Sequence, residues 1–298
     1  MESPTLRQLR YFLAVAGELH FGRAAERAGI AQPPLTQQIQ KLEGSLGCQL
    51  LVRGRKTRLT PAGIALAADA QRLLDQVDQA FDRARRTARG EIGQLRVGVP
   101  PSVMLTALPA SIRRYRQLYS SVSFTLREMA TSAIEEALRR REIDLGFLRE
   151  TKPQNPLGSA LFLTERIVVV LPAAHPLASR SSINLRQLKP EPFVLFPPQL
   201  GPAFHQVLIG ACVSAGFAPR IVQEATQWQT IISLVEAGMG ISLAPECVTR
   251  FRRAGVTYRV LPHAITNVYA SWYQGEMAPA VDRFLKVAAT RMAARSQA

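Results

Sequence analysis

Cysteine is scarce in this 298-residue chain: Cys48, Cys212 and Cys247 are far apart, with no CxxC or metal-type spacing. That excludes a disulfide-stapled secreted module or a zinc-ribbon type and fits a reduced, cytoplasmic setting. Cys212 and Cys247 lie in apolar stretches and read as small buried hydrophobes, with a redox pair as the alternative. Lysine is scarce as well. Of 37 basic residues only Lys41, Lys56, Lys152, Lys189 and Lys286 are lysine, which leaves 32 arginines. The net charge of +15 favours a polyanionic partner. An arginine excess also follows from GC-rich coding, and the surplus is spread along the chain, so charge alone discriminates little. No run of eighteen apolar residues occurs, and the first residues lack a basic-then-apolar-then-small pattern. The expectation is a cytoplasmic protein without a membrane partner. Catalytic signatures are missing too. The four histidines show no HExxH spacing, there is no GxSxG or Walker sequence, and Gly238-Met239-Gly240 is too short for a dinucleotide loop. An enzyme, a cofactor or a metal is therefore not expected.

What is present divides the chain into three parts. Length implies two or three domains, and 47% hydrophobic residues suffice for real cores. Residues 1–60 are Ala- and Gln-containing helical segments punctuated by Gly17, Gly29, Gly47 and Gly54. Thr60-Pro61 reads as an N-cap followed by proline in the first turn. From there one amphipathic helix over 61–89 carries Ile64, Ala67, Ala70, Leu74, Val77, Phe81 and Ala84 at three- and four-residue steps. A stripe that long calls for a partner helix from a second copy. Arg89–Gly93 reads as a linker. Residues 92–298 then alternate strands (95–99, 123–129, 143–147, 167–171, 193–196, 241–244, 268–272) with helices near 106–118, 132–141, 202–216, 227–238 and 279–294. The pattern predicts a mostly parallel α/β region in two lobes, about 92–163 with 268–298 and about 164–267.

Within the N-terminal part, Phe21–Ala28, the turn Gly29-Ile30-Ala31, and Gln32–Glu43 form a helix-turn-helix pattern. Ala24 and Ala25 permit a close helix crossing, and Gly29 suits a left-handed turn. Leu35, Ile39, Leu42 and Leu46 mark the buried side of the second helix. Its opposite side offers Gln32, Thr36, Gln37, Gln38 and Lys41, behind Pro33 and Pro34 in the first turn. Such residues reach base edges or phosphates from a helix lying in the major groove. Leu50–Thr60 follows as a short hairpin wing bearing Arg53, Arg55, Lys56 and Arg58, cations suited to the phosphate backbone.

These residues resemble the winged helix-turn-helix of the LysR-type transcriptional regulators. The family's A-x-x-L-x-x-(S/A)-Q pattern, ending in L-E-x-x-L-G, runs from Ala25 to Gly47, and its L-T-x-x-G closure is Leu59–Gly63. The resemblance implies that Arg23 joins the reader residues as a DNA contact. It also implies a dimerising linker helix, a periplasmic-binding-protein-like sensor, assembly to a homotetramer on promoter DNA, and contact with RNA polymerase.

In the sensor, Pro101-Ser102 and Thr131-Ser132 each follow a strand at a helix start, with Ser132-x-x-Glu135 available as a capping box. Arg149 ends a third strand. Helix N-termini with hydroxyls suggest an anion site, most simply for a carboxylate; capping of the helices by Ser102 and Thr131 is the plain alternative. These segments are similar to the effector pockets of regulators of aromatic-compound catabolism. That resemblance implies a small effector, an aromatic or dicarboxylic acid, touching Ser102, Thr131, Arg149, Pro202, Phe204, Trp228 and Val268. Muconate sensors of that group carry a small aliphatic residue where Trp228 stands, and a basic residue where Leu163 stands. One effector site per subunit is therefore expected. Two rivals account for less. A purely architectural DNA-binding protein leaves the two-lobed region unexplained, and a solute-binding protein leaves residues 1–60 unexplained.

Overall fold

Thr5 and Gln8 cap each other reciprocally and start α1 (Leu6–Glu18), which ends at Leu19 in the left-handed region. His20 caps α2 (Phe21–Arg27); Gly29, at φ 65°, then turns the chain into α3 (Gln32–Leu46). Prolines in the first turn of α3 forfeit N–H groups that no helix satisfies there. Phe12, Val15, Ala24, Leu35, Ile39 and Leu42 form the core where these helices cross. Leu46 was expected on that buried side, but it is exposed: the helix runs past the core before Gly47 ends it. The wing is a hairpin of β1 (Leu51–Val52) and β2 (Arg58–Leu59).

Thr60 closes the hairpin and opens α4 (Pro61–Ala88), its hydroxyl accepting from the Gly63 amide at 3.0 Å and donating to the Gln49 carbonyl at 2.8 Å. Leu66, Ala67 and Ala70 of α4 pack on the helix-turn-helix core. Along the expected stripe Leu74 is buried, whereas Phe81 is 53% exposed and Ile64, at the helix start, 61%. Ala67 and Ala70 are thus covered from within their own unit, whereas Ile64, Phe81 and Ala84 of the stripe are exposed. The structure describes residues 3–54, 56–275 and 277–295 of this computed structural model, and Met1–Arg86 forms one unit, Thr87 onward another.

The second unit is built on a six-stranded sheet of order β4-β3-β5-β10-β6-β9. β3 (Gly93–Val99) runs parallel to β4 (Val122–Glu128) and β5 (Leu145–Arg149), with α5 (Leu108–Leu118) and α6 (Thr131–Arg139) as crossovers. β6 (Leu157–Pro172) and β10 (Val256–Tyr273) are two long strands paired antiparallel, and β9 (Ser242–Pro245) extends them antiparallel. The expected mostly parallel sheet is therefore corrected: only β3, β4 and β5 pair in parallel in this sheet, because β10 enters between β5 and β6 and runs against both. Around Leu261–Ala264 β10 slips register against β6, with His263 at φ 64°.

The two ends of these long strands belong to separate cores. Val97, Tyr115, Phe147 and Phe284 fill the first, beneath α5 and α9 (Pro279–Arg295). The second gathers Phe193, Phe204, Leu208, Ile231 and Leu243 around α7 (Pro202–Ser214) and α8 (Trp228–Glu236). Its small parallel sheet pairs β7 (Pro192–Leu195) with β8 (Arg220–Glu224). Among the described residues no helix is long and apolar enough to cross a membrane.

Candidate functional site

Two places in the chain carry recognition chemistry. On α3 the predicted reader residues Gln32, Pro33, Pro34, Gln37 and Lys41 are exposed, while Thr36 and Gln38 are half-buried. Thr36 spends its hydroxyl on the Gln32 carbonyl at 3.0 Å. Two of the expected phosphate contacts already have acidic partners: Arg23 pairs with Glu18 at 3.3 Å and Arg53 with Glu43 at 2.9 Å. Glu43 also accepts from the Leu50 amide at 2.8 Å and the Leu51 amide at 3.2 Å, so one carboxylate ties the end of the reader helix to the wing. Lys56 is exposed without a partner, and Arg55 lies outside the described residues.

The second place is a cleft of about 240 Å³ in the C-terminal unit. Three helices begin on it: α6 with Ala130 as N-cap, α7 with Gly201 and α8 with Gln227, none capped by a side chain. Their first turns therefore keep unpaired amides at the end where the helix dipole is positive, from the second residue onward in α7, which begins with Pro202. Ser102, in a 3-10 turn over Pro101–Leu105, and Thr131, first residue of α6, line the same cleft at 4% and 5% exposure. Neither caps its helix, and neither hydroxyl has a protein partner among the described residues. The expected Ser132–Glu135 capping box does not form. The N-cap is Ala130, two residues before Ser132, so Ser132 donates to the Gln199 carbonyl at 3.2 Å and Glu135 pairs with Arg139.

The same cleft is also lined by aromatic rings. Phe196 and Phe204 stack with centroids 5.5 Å apart and planes 10° apart, and Trp228 tilts against Phe196 at 5.8 Å. The Arg149 guanidinium lies 5.3 Å from the Phe204 ring centre, within cation–π range. Arg149 is 3% exposed and pairs with Glu165 on β6 at 2.6 Å, while its second terminal nitrogen donates to Thr266 on β10 at 3.3 Å. Its Nε is buried without a partner. Behind this pair, Cys247 donates its thiol to the Ser102 carbonyl at 3.2 Å and its amide to Glu165 at 3.0 Å. Burial pushes the Cys247 thiol up to about 12 and that of Cys212 to about 11, so both stay protonated and unreactive at neutral pH.

Known proteins divide along the same line. Residues 6–64 match the family model for bacterial regulatory helix-turn-helix proteins of the LysR family, and residues 88–293 match the LysR substrate binding domain. The chain belongs to the LysR family. The transcriptional regulator AlsR of Bacillus subtilis is 39% identical over 268 residues, covering 90% of this chain and 88% of AlsR. BenM of Acinetobacter baylyi is 37% identical over 269 residues, covering 89% and 88% of the two chains. The crystal structure of CbnR, a LysR family transcriptional regulator, superposes with a TM-score of 0.81 at 27% identity, spanning 95% of this chain and 99% of CbnR. This LysR-family chain is a DNA-binding transcriptional regulator with an effector-binding domain, not an enzyme.

Of the effector residues expected in this LysR-family domain, Ser102, Thr131, Arg149, Phe204 and Trp228 line one cleft, and Pro202 and Val268 do not. Pro202 is exposed; its neighbour Gly201 takes the place in the cleft. Val268, directly across the ladder from Arg149, is fully buried in the first core, while Thr266, two residues along the strand, takes the hydrogen bond from Arg149. Sequence reasoning missed Phe196, and the support of Arg149 and Glu165 by Thr266 and Cys247. Phe196 ends an expected strand one step from a proline pair, the sole signal for it; Thr266 and Cys247 carried none.

The reader helix yields a paired expectation. Gln37→Ala changes sequence preference, whereas Lys56→Ala weakens binding to every sequence and lowers the slope of log affinity against log salt by about one. Titrating duplexes selected from a random pool at several salt concentrations separates the two. A variant pair with identical effects would contradict this division of labour.

Proposed function

We propose that this regulator responds to a small carboxylate-bearing effector, an aromatic or dicarboxylic acid, held in the cleft of its C-terminal unit. The single observation that carries the reading is the pair of hydroxyls on Ser102 and Thr131, without a protein partner among the described residues and lining the cleft beside the uncapped start of α6. A carboxylate in the cleft would accept from both hydroxyls and from the first amides of α6, at the positive end of that helix. Arg149 shapes the site through Phe204 and needs no ligand charge, since Glu165 balances it.

Ligand binding favours one arrangement of the two cores about the cleft, and the differential affinity for that arrangement is what shifts the protein on DNA. In this reading α4 pairs with the α4 of a second copy. Two such dimers form a tetramer that bends a promoter and alters contact with RNA polymerase. The bare Phe81 on α4 supports the pairing. Regulation of aromatic catabolism in the cytoplasm belongs to the same proposal.

Thermal-shift screening of small aromatic and dicarboxylic acids on the full chain identifies binders. Ser102→Ala and Thr131→Ala should each weaken the response to a binder by about tenfold, one charge-assisted hydrogen bond, with DNA affinity unchanged. An unaltered response in both variants would remove the site.

A further inference from the structure

The outer face of α3 holds a free amide where a guanine reader would need arginine. Leu35, Ile39 and Leu42 set the core side of that helix. Gln37 stands two residues from both Leu35 and Ile39, about 200° round the helix from each. Within the first two turns it is therefore the polar side chain most directly opposite the core, and a helix-turn-helix lays those turns against base edges. Gln37 is exposed and makes no side-chain hydrogen bond among the described residues, so its amide can offer one donor and one acceptor side by side. Its neighbours leave it that role. Pro33, a turn earlier on the same face, has no polar atom in its side chain. Thr36 has already given its hydroxyl proton to the Gln32 carbonyl, and Gln38 is half-buried. In a chain with 32 arginines α3 contains none, and its one cation, Lys41, lies a further turn along.

We propose that Gln37 is the principal base-reading residue of α3 and that the base it reads is adenine. The amide donates from Nε2 to N7 and accepts at Oε1 from the N6 amino group, a pairing that adenine alone presents in the major groove. Guanine offers two acceptors there, N7 and O6, so Oε1 would face an acceptor after losing its water. Lys41 brings a single ammonium to the flanking phosphates, which adds affinity without choosing a base. Discrimination thus comes from the mismatch that Gln37 makes with guanine as well as from the bonds it makes with adenine. The inference deepens the reader-helix assignment by naming the base and the two atoms that are sensed.

The test is selection of duplexes from a random pool by the full chain, followed by titration of the selected duplex. The position whose preference Gln37→Ala relaxes should be an A·T pair, and its replacement by G·C should weaken binding of the natural chain about tenfold or more. Placing 7-deazaadenine there removes N7, and placing unsubstituted purine removes the N6 amino group; each should weaken binding about fivefold, one hydrogen bond. Gln37→Ala should be indifferent to both analogues, whereas Gln37→Arg should move the selected pair to G·C. Both substitutions fall at an exposed position with no partner to lose. A relaxed position that is G·C in the natural site would overturn the proposal, as would a preference for A·T that survives Gln37→Arg. Equal losses on 7-deazaadenine with and without the glutamine would overturn it too. So would relaxation by Lys41→Ala in place of Gln37→Ala, which would make the lysine the reader.

Discussion

Glu165→Ala should destabilise the C-terminal unit by about 3–5 kcal/mol, the range found when one member of a buried ion pair is removed. The cost arises from the partner left behind. Arg149 keeps its charge, is 3% exposed, and retains only the Thr266 hydroxyl and a distant thiol, 4.0 Å from Nη2. Its Nε already lacks a partner, so no slack exists in its hydrogen bonding. The Cys247 amide loses its acceptor in the same change. For a unit of this size the loss lowers the melting temperature by roughly 6–20 °C, measurable by differential scanning calorimetry. Replacing both members, Arg149→Met with Glu165→Leu, should recover much of the loss, because two apolar side chains leave no orphaned charge. A single variant melting as the natural chain does would show the pair to be hydrated and stabilised otherwise.

Gly63→Ala should be nearly as damaging in the N-terminal unit. A β-carbon at Gly63 would stand 2.1 Å from the Leu50 carbonyl oxygen, a backbone atom that cannot swing aside. The wing and the start of α4 would have to part, taking the Thr60 cap and its bond to Gln49 with them. Overpacking with backbone displacement costs about 1–3 kcal/mol and occasionally more, and DNA affinity should fall with the fraction of correctly placed wing. Gly44→Ala is the control. Nothing lies within 4 Å of that position inside α3, so the same substitution should add about 0.5–1 kcal/mol of stability. Urea unfolding monitored together with DNA titration distinguishes the two outcomes; equal stability of both variants would refute the close-approach argument.

How much of this was legible in the sequence depended on how local its cause was. The helix-turn-helix was readable because each device acts within a few residues: Thr60 caps its own helix, Gly29 turns its own chain, and Leu35, Ile39 and Leu42 repeat at helical spacing. The long helix over 61–89 was readable for the same reason. The sheet was misjudged where the cause was remote. Alternating strands and helices suggested parallel pairing, but β6 and β10 are neighbours across almost a hundred residues, and only chain reversal makes them antiparallel. β8 was invisible because all five of its residues are exposed, which erases the alternation that marks a strand.

The cleft divides in the same way. Ser102, Thr131 and Arg149 sit at the ends of short elements whose order was readable, so their convergence followed from strand order. Pro202 was one residue out, since a helix start rotates by a third of a turn per residue, and Val268 lies opposite Arg149 but is buried in the first core, which its apolar side chain did not distinguish from a cleft position. The balance of Arg149 by Glu165 was beyond reach, because it requires β5 and β6 to lie either side of β10.

The packing of α9 has a consequence for the order in which the chain assembles as it is made. Phe284 of that last helix packs edge-on against Tyr115 and Phe147, and Val268 and Ala270 fill the same core. The second core, by contrast, draws on Ile167 through Leu261 alone. A ribosome therefore releases everything the later lobe needs before the earlier one can close. The segment translated first after the linker must wait, with Val97 and Tyr115 uncovered, until almost the final residues emerge.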